Sequence, residues 1–217
     1  MLELSDIISD KQEMHMKKRI VFDRVGDMKY ISHLDTIRFL ERLFKKTGIT
    51  IKHSEGFTPR PKLSFGNPVS LGDEAFNELM DAEIISELSN EEILGLLNSN
   101  SPEGFKFHEI YDVPKKSGIA NDFDILIYEV EGSTVDIDAL ENLLNSDKII
   151  EIREKRGKTQ ERDLKEKIGD FKRIGNKIFL ELYNISPKGL FALAEIDTKD
   201  LKVARMGYKK TNKNMEG

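Results

Sequence analysis

The alternation of hydrophobic and polar residues predicts short helices and strands in a regular order. A helix is predicted over Ser32–Thr47, because apolar residues recur there every three or four positions, Ser32 can cap the start, and Gly48 can end the helix in the left-handed conformation. A second helix is predicted over Ser89–Asn98, where Glu92 occupies the capping-box position. The period-two pattern predicts strands at Arg19–Arg24, Ile49–His53, Leu63–Phe65, Phe76–Ile85 and Phe105–Val113.

The second half of the chain repeats this order more loosely. Arg162–Ile168 fits either a short helix or a strand, and Lys155–Lys158 is predicted to be a tight turn. The other predicted elements are strands at Asp122–Val130 and Lys148–Glu154, a strand starting at Asn176, a strand at Leu201–Tyr208, and helices at Val135–Asn145 and Ser186–Ala194. The order βαββαβ is that of ferredoxin-like domains. The sequence therefore predicts an α+β protein with two tandem ferredoxin-like domains packed together.

The predicted domain boundaries follow from this order. Residues 1–15 are an N-terminal extension, 16–113 the first domain, 122–210 the second domain, and 211–217 a tail. Residues 114–121 (PKKSGIAN) are predicted to link the domains, since they are rich in residues that break helices and strands.

Composition excludes several classes of protein. The 217 residues include no cysteine, which excludes disulfides, thiolate zinc sites and thiolate-ligated iron–sulfur clusters. The beginning of the chain lacks the apolar core of a signal peptide, and no run has the length of a membrane span. We therefore expect a cytoplasmic protein without a cofactor.

The net charge of −5 conceals a strong pattern along the chain. Residues 17–62 carry 12 basic and 5 acidic side chains, residues 63–147 carry 3 and 19, and residues 148–217 carry 18 and 11. A local basic patch can attract a polyanion even when the whole chain is acidic. Alternatively, the three segments interleave in space and their charges cancel.

Aromatic residues are interspersed among basic residues within the first predicted βαβ unit and the loop that follows it. Two prolines flank Arg60 in the segment GFTPRP, and they hold that loop extended. Such a loop suits phosphate contacts and base stacking, although a structural crossover with solvated charges is the alternative reading. The predicted RNA-binding residues are Arg38, Arg42, Lys45, Lys52, Phe57, Arg60 and Lys62.

Candidates for catalysis are few. His33 and Asp35 lie at a helix start, and His53 follows on the adjacent strand, so these groups could act as a general acid and base. Their spacing matches no established metal site, and the chain contains no phosphate-binding loop, dinucleotide fingerprint or nucleophile elbow. We therefore expect no metal site and no self-sufficient active site.

Three stretches resemble a known family. ISHLD at residues 31–35, HSEGFTPRPKLSF at 53–65 and MDAEI at 80–84 are similar to motifs of the bacterial radical-SAM-linked protein family, with His53 at the family's usual tyrosine position. The likeness extends more loosely from residue 18 to 210, including ARMGY near the end. Members of that family are encoded beside, or fused to, a cobalamin-binding radical-SAM protein, so the resemblance implies that protein as the partner.

Three functions remain open. The chain can be a non-catalytic accessory protein that binds RNA, such as tRNA or ribosomal RNA, for the partner enzyme. It can be a protein-docking subunit that contacts the enzyme through the acidic middle segment without binding RNA. It can also be a small independent enzyme, a nuclease or transferase, that uses His33 and Asp35. The sequence favours the RNA-binding accessory protein.

Overall fold

The computed structural model describes residues 15–155 and 157–211, which form a mixed α+β architecture with few helices and mostly antiparallel strands. The α+β class predicted from the sequence is confirmed. The strands are β1 (His15–Arg24), β2 (Thr50–Ile51), β3 (Leu63–Phe65), β4 (Glu74–Ile85), β5 (Phe105–Val113), β6 (Ile125–Glu131), β7 (Ile150–Lys155), β8 (Lys158–Asp163), β9 (Ile168–Ile174), β10 (Lys177–Tyr183) and β11 (Lys202–Lys209). The helices are α1 (His33–Thr47), α2 (Asn90–Asn100), α3 (Ile119–Asp122), α4 (Thr134–Asn145) and α5 (Lys188–Leu193), with 3-10 turns at Gly26–Tyr30 and Lys165–Lys167.

The chain divides into two compact units. The first contains the described residues up to Leu71 together with Phe76–Asp122, and the second contains Gly72–Ala75 and the described residues from Phe123 onward. Strand β4 therefore begins in the second unit and continues in the first. Helix α3 occupies the end of the predicted linker 114–121, and its Ile119 is buried. Of the predicted extension 1–15 and tail 211–217, only His15 and Thr211 lie inside the described residues.

In the first unit the strand order is β5-β1-β4, and both β2 and β3 pair antiparallel with β4. Strands β1 and β5 also pair antiparallel. Helices α1 and α2 contribute their apolar faces to the core of this unit. The fully buried side chains of that core include Ile20, Leu40, Phe44, Met80, Ile93, Leu97 and Phe107.

In the second unit the strand order is β11-β6-β10-β9, and every neighbouring pair is antiparallel. Glu74 and Ala75, the first residues of β4, pair in parallel with Ala204 and Arg205 of β11. Strands β7 and β8 form a separate two-stranded hairpin. Helices α4 and α5 cover a core that includes Val130, Ile137, Leu140, Ile178, Leu182 and Leu190.

Local signals placed α1 and α2 correctly. Ser32 accepts a hydrogen bond from the Asp35 backbone N–H, Gly48 ends α1 at φ 73°, and the capping box between Ser89 and Glu92 is complete, so these predictions are confirmed. The predicted strand Ile49–His53 is wrong in extent, since only Thr50–Ile51 pair with β4 as a regular strand. Beyond Ile51 the Lys52 N–H still donates to the Glu83 carbonyl, and His53 forms a single antiparallel bridge with Pro61 rather than extending the ladder with β4.

The second unit departs further from the predictions. The ambiguous segment Arg162–Ile168 contains the end of β8, a 3-10 turn and the start of β9. Strand β9 was not predicted, because charged residues interrupt its apolar alternation. Helix α5 is shorter than predicted, starting after Pro187 rather than at Ser186. No helix in residues 15–155 or 157–211 combines the length and apolar character that crossing a membrane requires.

Candidate nucleic-acid interface

Helix α1 places a basic stripe on its outer face. Leu40, Leu43 and Phe44 are buried in the core of the first unit. Arg38, Arg42 and Lys45 follow one another at spacings of four and three residues, and all three are exposed. The apolar side therefore anchors the helix, and three of the predicted RNA-binding residues lie at the surface on the other side.

The charge of Arg38, the first cation of this stripe, is partly neutralised by Asp35 in the first turn of α1. Asp35 accepts hydrogen bonds from the Ser32 hydroxyl at 2.7 Å and from the Arg38 guanidinium at 3.2 Å. The Ser32 hydroxyl and then the Arg38 guanidinium lower the pKa of Asp35 below its usual range. Both Asp35 and Arg38 are more than half exposed, so this ion pair contributes little to stability. The Asp35 carboxylate is thus engaged at the start of α1.

The proline loop is closed at its base by the backbone. The N–H of Ser54 donates to the Arg60 carbonyl at 2.8 Å, and the N–H of Arg60 donates to the Ser54 hydroxyl at 3.0 Å. Gly56 adopts a φ of 136°, which a residue with a side chain rarely adopts. Beyond this base the Phe57 ring is fully exposed, and Arg60 is exposed as well. A short constrained loop therefore holds an aromatic ring and a guanidinium in solvent.

Two of the predicted lysines share an acidic partner. The ammonium groups of Lys52 and Lys62 lie 3.9 and 3.5 Å from the carboxylate oxygens of Glu83 on β4. The backbone of Glu83 also joins them, since it accepts from the Lys52 N–H and donates to the Lys62 carbonyl. Sequence reasoning missed Glu83. The one feature that could have indicated it was its place on the outward-facing side of β4. These two lysines therefore contribute less to the positive potential than was predicted.

The remaining three cations of the predicted set are not compensated in this way. Arg42, Lys45 and Arg60 form no ion pair with any residue in the described part of the chain. Glu41 and Lys45 lie four residues apart on α1, but they form no ion pair with each other within the described residues. The basic character of the interface therefore rests on these three side chains, with Arg38, Lys52 and Lys62 partly compensated.

The structure does not bring the candidate catalytic groups into one cavity. His33 packs edge-on against Phe65, with ring centroids 5.7 Å apart, beside a cavity of about 20 Å³ at the start of α1. His53 lines a different cavity at the end of the same helix, and its Nδ1 lies 3.0 Å from the Ile51 carbonyl oxygen. Among the described residues, no cluster of three or more histidine and carboxylate side chains is arranged to hold a metal ion.

Many carboxylates of the acidic middle segment are paired inside their own unit. Their partners are cations from the two basic segments, 17–62 and 148–217. The basic and acidic segments of the sequence therefore do interleave. The pairs join Asp81 to Lys17 and Arg19, Asp112 to Lys18, Asp122 to Arg19, Glu129 and Glu131 to Lys177, and Asp138 and Glu141 to Arg173. This pairing lowers the negative potential that a docking surface in this segment would need.

Comparison with known proteins gives a family and a distant structural match. The profile of a family described as "Uncharacterized protein conserved in bacteria (DUF2344)" matches residues 17–200. A solved structure titled "Crystal Structure of an Unknown Protein from Galdieria sulphuraria" aligns with 88% of this chain and 98% of its own, at 12% identity and a TM-score of 0.29. No curated protein matches the chain.

Proposed function

The chain belongs to the family of uncharacterized proteins conserved in bacteria, and we propose that it is a non-catalytic accessory protein that binds single-stranded RNA. One observation carries this proposal. Arg42 and Lys45 on α1, together with Arg60 on the proline loop, are exposed cations without ion-pair partners among the described residues, and the same loop holds Phe57 fully in solvent. Cations that follow a phosphate backbone and an aromatic ring that stacks on a base are the usual elements of single-strand binding.

The proposed fold of each unit agrees with an RNA-binding role. We infer a ferredoxin-like topology in both, supported by the antiparallel strand order β11-β6-β10-β9 and by the order β5-β1-β4 with β2 and β3 on the far side of β4. The hairpin β7–β8 would then be an insertion in the second unit. Ferredoxin-like sheets occur in many RNA-binding modules, but a shared fold supports function only by analogy. The main support therefore comes from the surface of α1 and the loop.

The accessory role and the partner rest on sequence resemblance. Ile31–Asp35 and His53–Phe65, which carry the likeness to radical-SAM-linked proteins, form the start of α1 and the proline loop of the proposed RNA interface. We propose that the chain holds tRNA or ribosomal RNA for a cobalamin-binding radical-SAM enzyme. Docking on that enzyme without RNA is less well supported, because so many carboxylates of the acidic segment are already paired.

The proposal is tested by the salt dependence of RNA binding. Fluorescence anisotropy of a labelled U12 RNA is measured at several salt concentrations for wild type and for R42Q/R60Q. Because each lost phosphate contact lowers the slope of log K against log salt by about 0.7 on a single strand, we expect the double variant to lose about 1.4 from that slope. The affinity should fall accordingly at low salt.

A matched control removes two exposed lysines elsewhere. K106Q/K188Q makes the same change in net charge, with both positions exposed and outside the interface. We expect it to bind U12 as wild type does. A folded R42Q/R60Q protein with wild-type affinity and slope would overturn the RNA proposal, and co-elution of an RNA-free protein with the enzyme would then favour docking.

A further inference from the structure

A cleft lies between the end of α1, strand β2 and the base of the proline loop. Its volume is about 250 Å³, and its apolar walls include Phe44, Ile49 and Ile51. These three side chains belong to the core of the first unit, so the walls are fixed by packing. The cleft is smaller than the pockets of about 300–1,000 Å³ that hold drug-sized ligands. It fits a single planar ring system better than an extended ligand.

The rim of the cleft is polar. The Ile51 carbonyl can only accept, so Nδ1 of His53 is the donor in this contact and Nε2 is left for a further hydrogen bond. Thr50, Glu41 and Lys45 also line the cleft. An apolar interior with hydrogen-bonding groups at its edge matches a heteroaromatic ring, whose faces are apolar and whose edge carries donors and acceptors.

Three cations lie on or next to the elements that form the cleft, against the single lining carboxylate residue Glu41, and this excess of positive charge favours a phosphate-linked ligand. Lys45 lies on the rim, Arg42 precedes it by about one turn of α1, and Pro61 on the wall follows Arg60 directly in the chain. None of these three cations has an ion-pair partner among the described residues. A strand running past Arg42, Lys45 and Arg60 would therefore pass the mouth of the cleft.

We propose that this cleft receives one unpaired nucleobase of the bound RNA, with His53 and Thr50 at the base edge and Lys45 at the adjoining phosphate. The inference rests on the proposed function, because it assigns a second base contact to the same interface. Phe57 would stack on one base of the strand from the loop, and the cleft would enclose another. Binding would then require an unstacked single strand rather than a duplex.

The test separates the cleft from the phosphate contacts and from Phe57. Wild type is measured beside two variants that carry F57A, and anisotropy compares U12 RNA with a 12-unit oligomer of abasic spacers that has the same phosphates. We expect F57A to bind U12 about tenfold more tightly than the abasic oligomer, because enclosure of a ring removes apolar surface from water. In F57A/T50W the indole introduced at position 50 should fill the cleft. The affinity for U12 should then fall to that for the abasic oligomer, while the slope of log K against log salt stays the same.

Each result has a distinct meaning. Equal binding of U12 and the abasic oligomer by F57A would overturn the cleft proposal and leave RNA binding intact. Absence of binding to either oligomer by wild type would overturn both. If F57A/T50W does not fold, methyl NMR of the wild-type protein tests whether the cleft binds a base. Uridine 5′-monophosphate should shift the Ile49 and Ile51 signals, whereas ribose 5-phosphate should not. Unshifted methyl signals with the nucleotide would contradict the proposal.

Discussion

At the scale of single residues, a network of buried ion pairs surrounds Arg19. This guanidinium is 2% exposed, and it donates to both carboxylate oxygens of Asp81, at 2.7 and 3.0 Å. Asp122 of α3 lies 2.8 Å away, and the Lys17 ammonium is 3.3 Å from Asp81. Burial opposes the charge of Arg19, but hydrogen bonds and charges of the two carboxylates outweigh it and raise its pKa above the usual value. The network joins β1, β4 and α3.

Removal of one partner from this network should be costly. Asp81 is 1% exposed. D81N would therefore leave the buried Arg19 guanidinium with one of the two carboxylates that balance its charge. We expect the free energy of unfolding to fall by about 3 kcal/mol, which is the size of loss found when a buried ion pair loses one member. Urea denaturation followed by circular dichroism gives this value.

Asp197 provides the control for this substitution. It pairs with Lys199 at 3.7 Å, and both side chains are mostly exposed. D197N should therefore unfold at nearly the same urea concentration as wild type. A D81N protein as stable as D197N would show that the buried pair contributes no net stability.

At the scale of elements, capping determines where α2 begins. The Ser89 hydroxyl accepts from the Glu92 N–H at 3.2 Å, and the Glu92 carboxylate accepts from the Ser89 N–H at 2.8 Å. Two otherwise unpaired donors of the first turn are thus satisfied. Ile93 and Leu97 of the same helix are completely buried, so the cap also positions part of the core.

Two serine substitutions in this one helix should act differently. S89A removes the cap and should lower the free energy of unfolding by about 1 kcal/mol. S99A removes only a hydrogen bond from the Ser99 hydroxyl to the Gly95 carbonyl within the helix, and alanine has the higher helix propensity. We therefore expect S99A to be neutral or slightly stabilising in thermal melts. Equal destabilisation by both variants would contradict the capping argument.

At the scale of the whole molecule, the division into units does not follow the order of the chain. Gly72–Ala75 belong to the second unit although they lie within the first half of the sequence. Ala75 is fully buried, and it pairs with Arg205 of β11. The second unit is therefore incomplete without a segment that precedes the predicted linker.

Limited proteolysis tests this organisation. Lys115 and Lys116 are exposed between β5 and α3, so trypsin should cut there early. Because the N-terminal fragment carries Gly72–Ala75, we expect the two fragments to co-elute from a sizing column and to separate only in denaturant. Fragments that separate under native conditions would show that residues 123–211 fold without this segment.

The sequence by itself determined the local features of this protein. The ends of α1, the left-handed Gly48 and the capping box of Ser89 depend on residues within about four positions of one another, so their signals are visible in the chain. The exposure of Arg42 and Lys45 followed from the helical period for the same reason. The α+β class followed from the succession of such elements.

Only the tertiary structure decided the features that join distant segments. Glu83 compensates Lys52 and Lys62 from a neighbouring strand, and Glu74 and Ala75 pair with β11, about 130 residues later in the chain. The cleft beside His53 exists because α1, β2 and the loop meet around it. Pairings and cavities of this kind depend on how elements pack, and packing is set by contacts that no short window of the sequence contains.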